Sequence, residues 1–412
     1  MATQGIRGGA NRETLKRIKE TGEIFFAVSD RPWILEGANV HVSMVGFDDG
    51  SETTRLLDGQ SVTIINSNLT AMADTTAAHT LQENLGIAYM GDTKGGAFDI
   101  SEEVALRMLT VPNPHGQPNS SVILPWANGL AETRREAPLF IIDFGVGMTE
   151  DEAAKYERPF EYARSKVLPV RQRNNREAYR LFWWRHVEAR PGMRDALTDL
   201  PRFIATVSVS KHRLFVWMEA PTLPDHALFV FARADDYFFG VLHSRVHEVW
   251  ARAQGTQVRE RESGFRYTPT TCFETFPFPE PTPEQEAAIA EAARELNELR
   301  EQWLNPPEWT REEILEFPGS ADGPWARYVH DPDEHGIGTV RYPRIVPKDP
   351  DCAALVAERT LTNLYNERPT WLDLAHRKLD QAVFAAYGWD ASISDDEILE
   401  RLLDLNLSRS AP

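Results

Sequence analysis

The sequence predicts an α+β protein of two or three domains. Three changes of pattern along its 412 residues carry that expectation. Residues 1–85 alternate short apolar runs with one helical period. Residues 86–279 are rich in strand formers, Pro, Gly and aromatics. Residues 280–412 keep a helical period through most of their length.

In the first segment, Asn11 to Thr21 reads as a helix, with Leu15 and Ile18 on one face and Gly22 as its stop. Glu23 to Val28 and Val40 to Phe47 read as strands, the second closed by the Asp48-Asp49-Gly50 turn and opened after Gly37. The expected arrangement is a doubly wound, Rossmann-like sheet of which only the last strands are present. In the second segment, His212 to Met218 and Ala227 to Ala232 are the clearest strands, with Pro221 and Pro224 between them. Phe276 to Pro281 reads as a linker, because its prolines can continue neither a helix nor a central strand. In the third, Thr282-Pro283-Glu284-Gln285 forms a capping box with Pro at the first helical position. Ile289, Ala293, Leu296, Leu299 and Trp303 then make one apolar stripe. A second helix runs from Trp371 to Tyr387 and stops at Gly388, and Ser394 caps a third.

The composition is 42% hydrophobic and 26% charged, that of an ordinary globular chain. No apolar run reaches the roughly eighteen residues of a membrane span, and the N-terminus has no secretory apolar region. Two cysteines, Cys272 and Cys352, make no disulfide framework, so a cytoplasmic location is expected. The net charge of −18 argues against general nucleic-acid binding. It is unevenly spread: Lys155 to Arg213 holds fourteen Lys/Arg and six Asp/Glu, a local excess of +8 that leaves −26 elsewhere. Such an island could meet DNA phosphates locally; a solvated face with chance clustering would look the same.

Several motifs imitate chemistry. Asn305-Pro306-Pro307-Glu308-Trp309 resembles the Asn-Pro-Pro-aromatic motif of adenine methylases, but Glu308 cannot stack on a base, so it reads as a helix stop. Asp143-Phe144-Gly145-Val146-Gly147 follows a strand as a nucleotide loop would; a strand end before a capped helix explains it as well. His243 and His247, at i and i+4, would share a helix face and could ligate a metal, although Glu248 is misplaced for a zinc hydrolase and no third ligand is near. Phe182-Trp183-Trp184 reads as core. Cations beside rigid aromatics are the better candidates: Lys211 and Arg213, and the run Arg259, Arg261, Arg266 and Tyr267. An Arg fork can pair with guanine, and either cation can hold a phosphate.

Longer stretches carry a family resemblance. Gly5-Ile6-Arg7-Gly8-Gly9-Ala10-Asn11-Arg12, Ser29-Asp30-Arg31-Pro32-Trp33 and Val40 to Phe47 are similar to the late strands and loops of the methyltransferase domain of MmeI-type restriction-modification enzymes. Pro125-Trp126-Ala127-Asn128-Gly129, Asp143 to Gly145, Arg190 to Arg194, Phe239 to Trp250 and Gly264 to Pro279 resemble their target-recognition domain. Trp303 to Trp309 and Leu361 to Trp371 resemble their C-terminal helical part. The resemblance implies residues 1–85 as the C-terminal part of a methyltransferase domain, 86–279 as a DNA target-recognition domain and 280–412 as a C-terminal helical domain.

The same resemblance implies adenine-N6 methylation of a flipped base, with S-adenosylmethionine as cofactor of the complete enzyme. The cofactor loop and catalytic motif of the family would precede the point matching Met1. No catalytic residue is therefore assigned, and no cofactor is expected for this chain alone. The expected partners are double-stranded DNA and either the N-terminal half or a separate catalytic subunit. The expected DNA contacts are Arg7, Asn11, Arg12, Arg171, Arg173, Lys211, Arg213, Arg245, Arg259, Arg261, Arg266 and Tyr267. A truncated gene product, a split enzyme's second half and a fragment all fit. Two other readings stay open: a stand-alone DNA-binding specificity subunit, and a metal-dependent hydrolase using His243 and His247.

Overall fold

The computed structural model describes residues 1–7, 9–35, 38–71, 73–129, 138–257 and 264–410. Its class is α+β, with five small sheets and helices around two large cores.

The N-terminal sheet orders its strands Ala2–Thr3, Ala38–Asp48, Glu23–Leu35, Arg55–Leu57 and Gln60–Val62. Glu23–Leu35 pairs antiparallel with Ala38–Asp48 and parallel with Arg55–Leu57. Both long strands run further than the apolar pattern suggested, through two irregularities in register between Ile24 and Phe26 and between Val28 and Arg31. The helix Glu13–Thr21 packs Leu15 onto Ile24, Ala27, Ile65 and Leu69, a small core of its own. Gly22 ends that helix in extended backbone. It is glycine because a Cβ there would lie 2.0 Å from the Asp48 carbonyl oxygen.

Two four-stranded sheets form the middle. One orders Val216–Glu219, Arg202–Val207, Leu228–Phe231 and Ala88–Met90, all antiparallel. The other orders Leu223–Pro224, Ile123–Ala127, Leu139–Ile142 and Asp99–Ser101. Strand Arg202–Val207 divides the two large cores by its period of two: Ile204 faces one, while Phe203, Ala205 and Val207 face the other.

The first large core reaches from Ile204 to Leu403, so it runs past the segment read as a linker. That segment is held from both sides. Phe278 stacks on Phe238 with centroids 4.7 Å apart, Tyr387 donates to the Pro277 carbonyl at 2.8 Å, and Tyr237 donates to that of Pro279 at 3.2 Å. Helices Pro283–Leu304, Thr370–Tyr387 and Asp395–Ser410 close this core. The first has the expected capping box between Thr282 and Gln285, and the second ends at Gly388 with φ +68°.

Within 280–412 lies an element that the helical reading passed over. Thr310–Ser320 and Ile337–Pro347 form an antiparallel hairpin paired along eleven residues. Its Leu315, Phe317 and Val340, with Trp325, pack into the other core, against the sheet that contains Ile123–Ala127. Helices of this segment thus build one core and its hairpin builds the other.

Candidate nucleic-acid interface

Three short strands, Val209–Ser210, Phe265–Arg266 and Thr256–Gln257, form an antiparallel ribbon at one edge of the first core. Residues 258–263 join two of them, so the expected contacts Arg259 and Arg261 lie outside the described residues. The root of that connection is tight. A Cβ on Gly255 would meet the Phe265 ring at 2.4 Å and the Arg266 carbonyl oxygen at 2.7 Å. Arg266 is exposed on the ribbon, as is Lys211 just beyond it. Lys211 Nζ donates to Asn366 Oδ1 at 2.8 Å, which the His212 ring also contacts at 2.9 Å.

Arg213 and Tyr267 sit beneath the ribbon rather than on it. Arg213 donates to Thr206 Oγ1 at 3.0 Å, to the Val207 carbonyl at 2.5 Å and to the Phe265 carbonyl at 3.2 Å. Its guanidinium lies 5.2 Å from the Phe265 ring centroid and 5.0 Å from that of Tyr267. Burial is the main reason its pKa falls to about 10. The expectation of DNA contacts at Arg213 and Tyr267 is corrected accordingly: both side chains are buried, out of reach of a phosphate, and they brace the ribbon from inside.

His243 and His247 belong to two helices, not one. Asp236–His243 ends at Ser244, whose hydroxyl caps Arg245–Gln254. His247 Nδ1 donates to the Leu242 carbonyl at 2.9 Å, leaving Nε2 to accept from the Tyr267 hydroxyl at 3.1 Å. His243 Nε2 accepts from the Phe215 amide at 3.2 Å and from Arg300 at 2.9 Å. Burial drives the His247 pKa to about 3, and burial with the Arg300 charge holds that of His243 well below its usual range. The metal-hydrolase reading is therefore set aside, because the ring nitrogens that would ligate are already hydrogen-bonded in the core.

The other imitating motifs also resolve into structure. Asp143 does not fit a nucleotide or S-adenosylmethionine loop. It is buried, accepts from Arg194 at 2.5 Å and from the Gly145 amide at 3.0 Å, and shares Arg194 with buried Asp92. His186 Nδ1 lies 2.8 Å from Asp92. Burial opposes charge on His186, but neighbouring Asp92 and Asp143 outweigh it and raise the pKa. No methyl-transfer step is derived through these residues. Asn305 ends the helix Pro283–Leu304, its side chain donates to Glu301 at 3.1 Å, and the Pro306 carbonyl accepts from Thr310 and Trp309. Trp183 and Trp184 are core as expected, whereas Phe182 is exposed.

Most cations of the basic island, Lys155, Arg164 and Arg176 among them, are exposed, but some are turned inward. Arg171 is buried and donates to the Lys94 and Arg185 carbonyls at 3.0 and 3.1 Å, which removes it from the DNA-facing candidates. Arg185 is spent on the Val146 and Met148 carbonyls, and Arg194 on two aspartates. Arg173 is exposed. Arg245 donates to Asp395 and to the Ile393 carbonyl, which ties the helix Arg245–Gln254 to the C-terminal helix.

The structure does bring together residues far apart in sequence. Arg7 and Arg12 line a recess with Arg252, against Gly255, Thr256 and Phe265 at the root of the 258–263 connection. Asn11 is exposed nearby in sequence. Arg252 was absent from the expected contacts. Its signal was local: an Arg one turn after Glu248 and four residues before the strand that opens the arginine-rich loop.

Comparison with known proteins bears on this edge. Residues 194–280 match the family model described as MmeI, target recognition domain, and that span includes the ribbon, Lys211 and Arg266. DNA methyltransferase A of Bacillus subtilis (strain 168) is 27% identical over 201 residues, covering 48% of this chain and 16% of that protein. The solved structure of the type IIL restriction-modification enzyme MmeI in complex with DNA matches with a TM-score of 0.70 at 17% identity. That match covers 99% of this chain and 49% of the solved one. The resemblance to MmeI-type enzymes thus extends to the fold of nearly the whole chain, which spans about half the length of that relative. Among the described residues no helix is long and apolar enough to cross a membrane.

Proposed function

We propose that this chain reads duplex DNA as the target-recognition portion of an adenine-N6 methyltransferase of a restriction-modification system. The observation that carries the proposal is a coincidence of place. The span similar to the MmeI target recognition domain is the one that holds exposed Lys211 and Arg266 on and beside the ribbon. An exposed Arg fork on such a ribbon suits guanine O6 and N7, and Lys211 suits a phosphate.

In this reading residues 1–85 end a methyltransferase domain, 86–279 recognise the target and 280–412 brace them. The complete enzyme uses S-adenosylmethionine and works in the cytoplasm. The missing catalytic chemistry comes from an N-terminal half or a separate subunit, because the groups here that imitate it are committed to internal hydrogen bonds. Selection of duplexes from a randomised pool by the pure chain tests the proposal. Enrichment of one short motif supports it, and an unenriched pool contradicts it. The pure chain should transfer no labelled methyl group from S-adenosylmethionine to DNA; measured transfer would place catalysis within it.

A further inference from the structure

The recess beside the ribbon is small and positively lined. Its volume is about 180 Å³, with Arg7, Arg12 and Arg252 on its wall against one carboxylate, Asp396. Arg7 and Arg12 come from the N-terminal turns Gln4–Arg7 and Gly9–Arg12, and Arg252 comes from the helix Arg245–Gln254. The first two are anchored through their ε nitrogens: Arg12 donates to the Arg7 carbonyl at 2.7 Å, and Arg7 donates to the Asn68 carbonyl at 3.2 Å. Arg252 lies over the Phe265 ring at 5.7 Å and is held by exposed Glu248 at 2.6 Å. The cations therefore arrive already oriented, which lowers the entropy cost of gripping an anion.

We propose that this recess takes one backbone phosphate of the DNA duplex, gripped by Arg252 together with Arg7, while buried Arg12 braces Arg7 through its carbonyl. This rests on the DNA-reading function proposed above. A lone phosphodiester suits the sign of the recess. Thr256 and Phe265, from two strands of the ribbon, form part of the same wall, so a phosphate held there would fix the ribbon on the duplex without contacting a base. Glu248 is the built-in competitor, since it occupies Arg252 when no phosphate is bound.

The test is duplex binding by fluorescence anisotropy over a salt series, using a 25-base-pair duplex of arbitrary sequence and the full chain. Arg252→Ala should flatten the slope of log K against log salt by about 0.9, the loss of one phosphate. Arg252→Lys, which keeps the charge, should retain the slope. Glu248→Gln should raise affinity by freeing Arg252. Arg311→Ala, at an exposed position on the distant hairpin, should change nothing. Circular dichroism confirms folding; if Arg252→Ala is unfolded, Glu248→Gln still decides, because an Arg252 with only a structural role predicts no gain. A wild-type chain that binds duplex while Arg252→Ala keeps the full slope and Glu248→Gln gains nothing overturns the recess and leaves the recognition reading standing. A folded wild-type chain with no duplex affinity at low salt overturns both.

Discussion

Replacing Arg213 should cost the protein its stability before it costs any contact with DNA. The guanidinium is 6% exposed and makes three hydrogen bonds, to Thr206 Oγ1 and to the Val207 and Phe265 carbonyls. Truncation to Ala removes the donors and leaves three buried acceptors. A hydrogen bond to a charged group contributes about 1.5–3 kcal/mol net, and an unsatisfied buried acceptor costs about 1–3 kcal/mol. The partners are a hydroxyl and two carbonyls, so no charge is left unpaired, and the desolvation cost of burying Arg213 is recovered; a net loss of about 1–3 kcal/mol is expected. Contacts with the Phe265 and Tyr267 rings add to the loss. Urea denaturation followed by circular dichroism should show a lower midpoint for Arg213→Ala. Lys211→Ala, two residues away and exposed, should stay within about 0.5 kcal/mol of wild type. If Arg213→Ala were as stable as wild type and defective only in DNA binding, Arg213 would be a surface contact and the bracing role would be wrong.

Acid should weaken the fold ahead of ordinary carboxylate titration. His247 and His376 are held at about 3 by burial, against an ordinary 6.5. The unfolded chain then binds their protons first, so their contribution falls from about pH 6.5 toward 3, by up to about 1.4 kcal/mol per pH unit for each. Asp380, pushed up to about 6 by burial, opposes this below pH 6. The net urea midpoint should drop between pH 7 and 5; an unchanged midpoint would refute the buried neutral histidines. Zinc should leave the melting temperature unmoved, because the Nε2 atoms of His243 and His247 are both hydrogen-bonded; a marked zinc-dependent rise would revive the metal reading. On DNA, Lys211→Ala should weaken every sequence alike, whereas Arg266→Ala should relax one position of the preferred site by about 1–3 kcal/mol, read by competition with single-base variants.

Elements with a local chemical cause could be read from the residues alone. The helix from Pro283 announces itself through Thr282 and Gln285, and Gly388 marks the end of Thr370–Tyr387. The hairpin Thr310–Ser320 with Ile337–Pro347 could not be read so easily. Its apolar residues do not all mark the core, since Ile314 and Ile345 are exposed beside Glu and Arg, and its core partners lie near residue 120, as the Ser120 hydroxyl donating to the Pro318 carbonyl shows. Charge counting could not tell which cations of the basic stretch reach the surface. Arg171, Arg194 and Arg213 count as surface cations in sequence, yet distant carbonyls and carboxylates draw them inside. The histidine pair misled because a cap at Ser244 breaks what looked like one helix. Arg7, Arg12 and Arg252 meet only through tertiary folding, so no spacing rule could join them.

The central claim, that this chain grips duplex DNA through a limited set of phosphates, is tested most directly by the salt dependence of its own binding. Anisotropy titrations of the wild-type chain on an arbitrary duplex should give a slope of log K against log salt of roughly −4 to −5, as four to six phosphate contacts require. A folded chain that shows no duplex affinity at low salt, or an affinity indifferent to salt, would contradict the account.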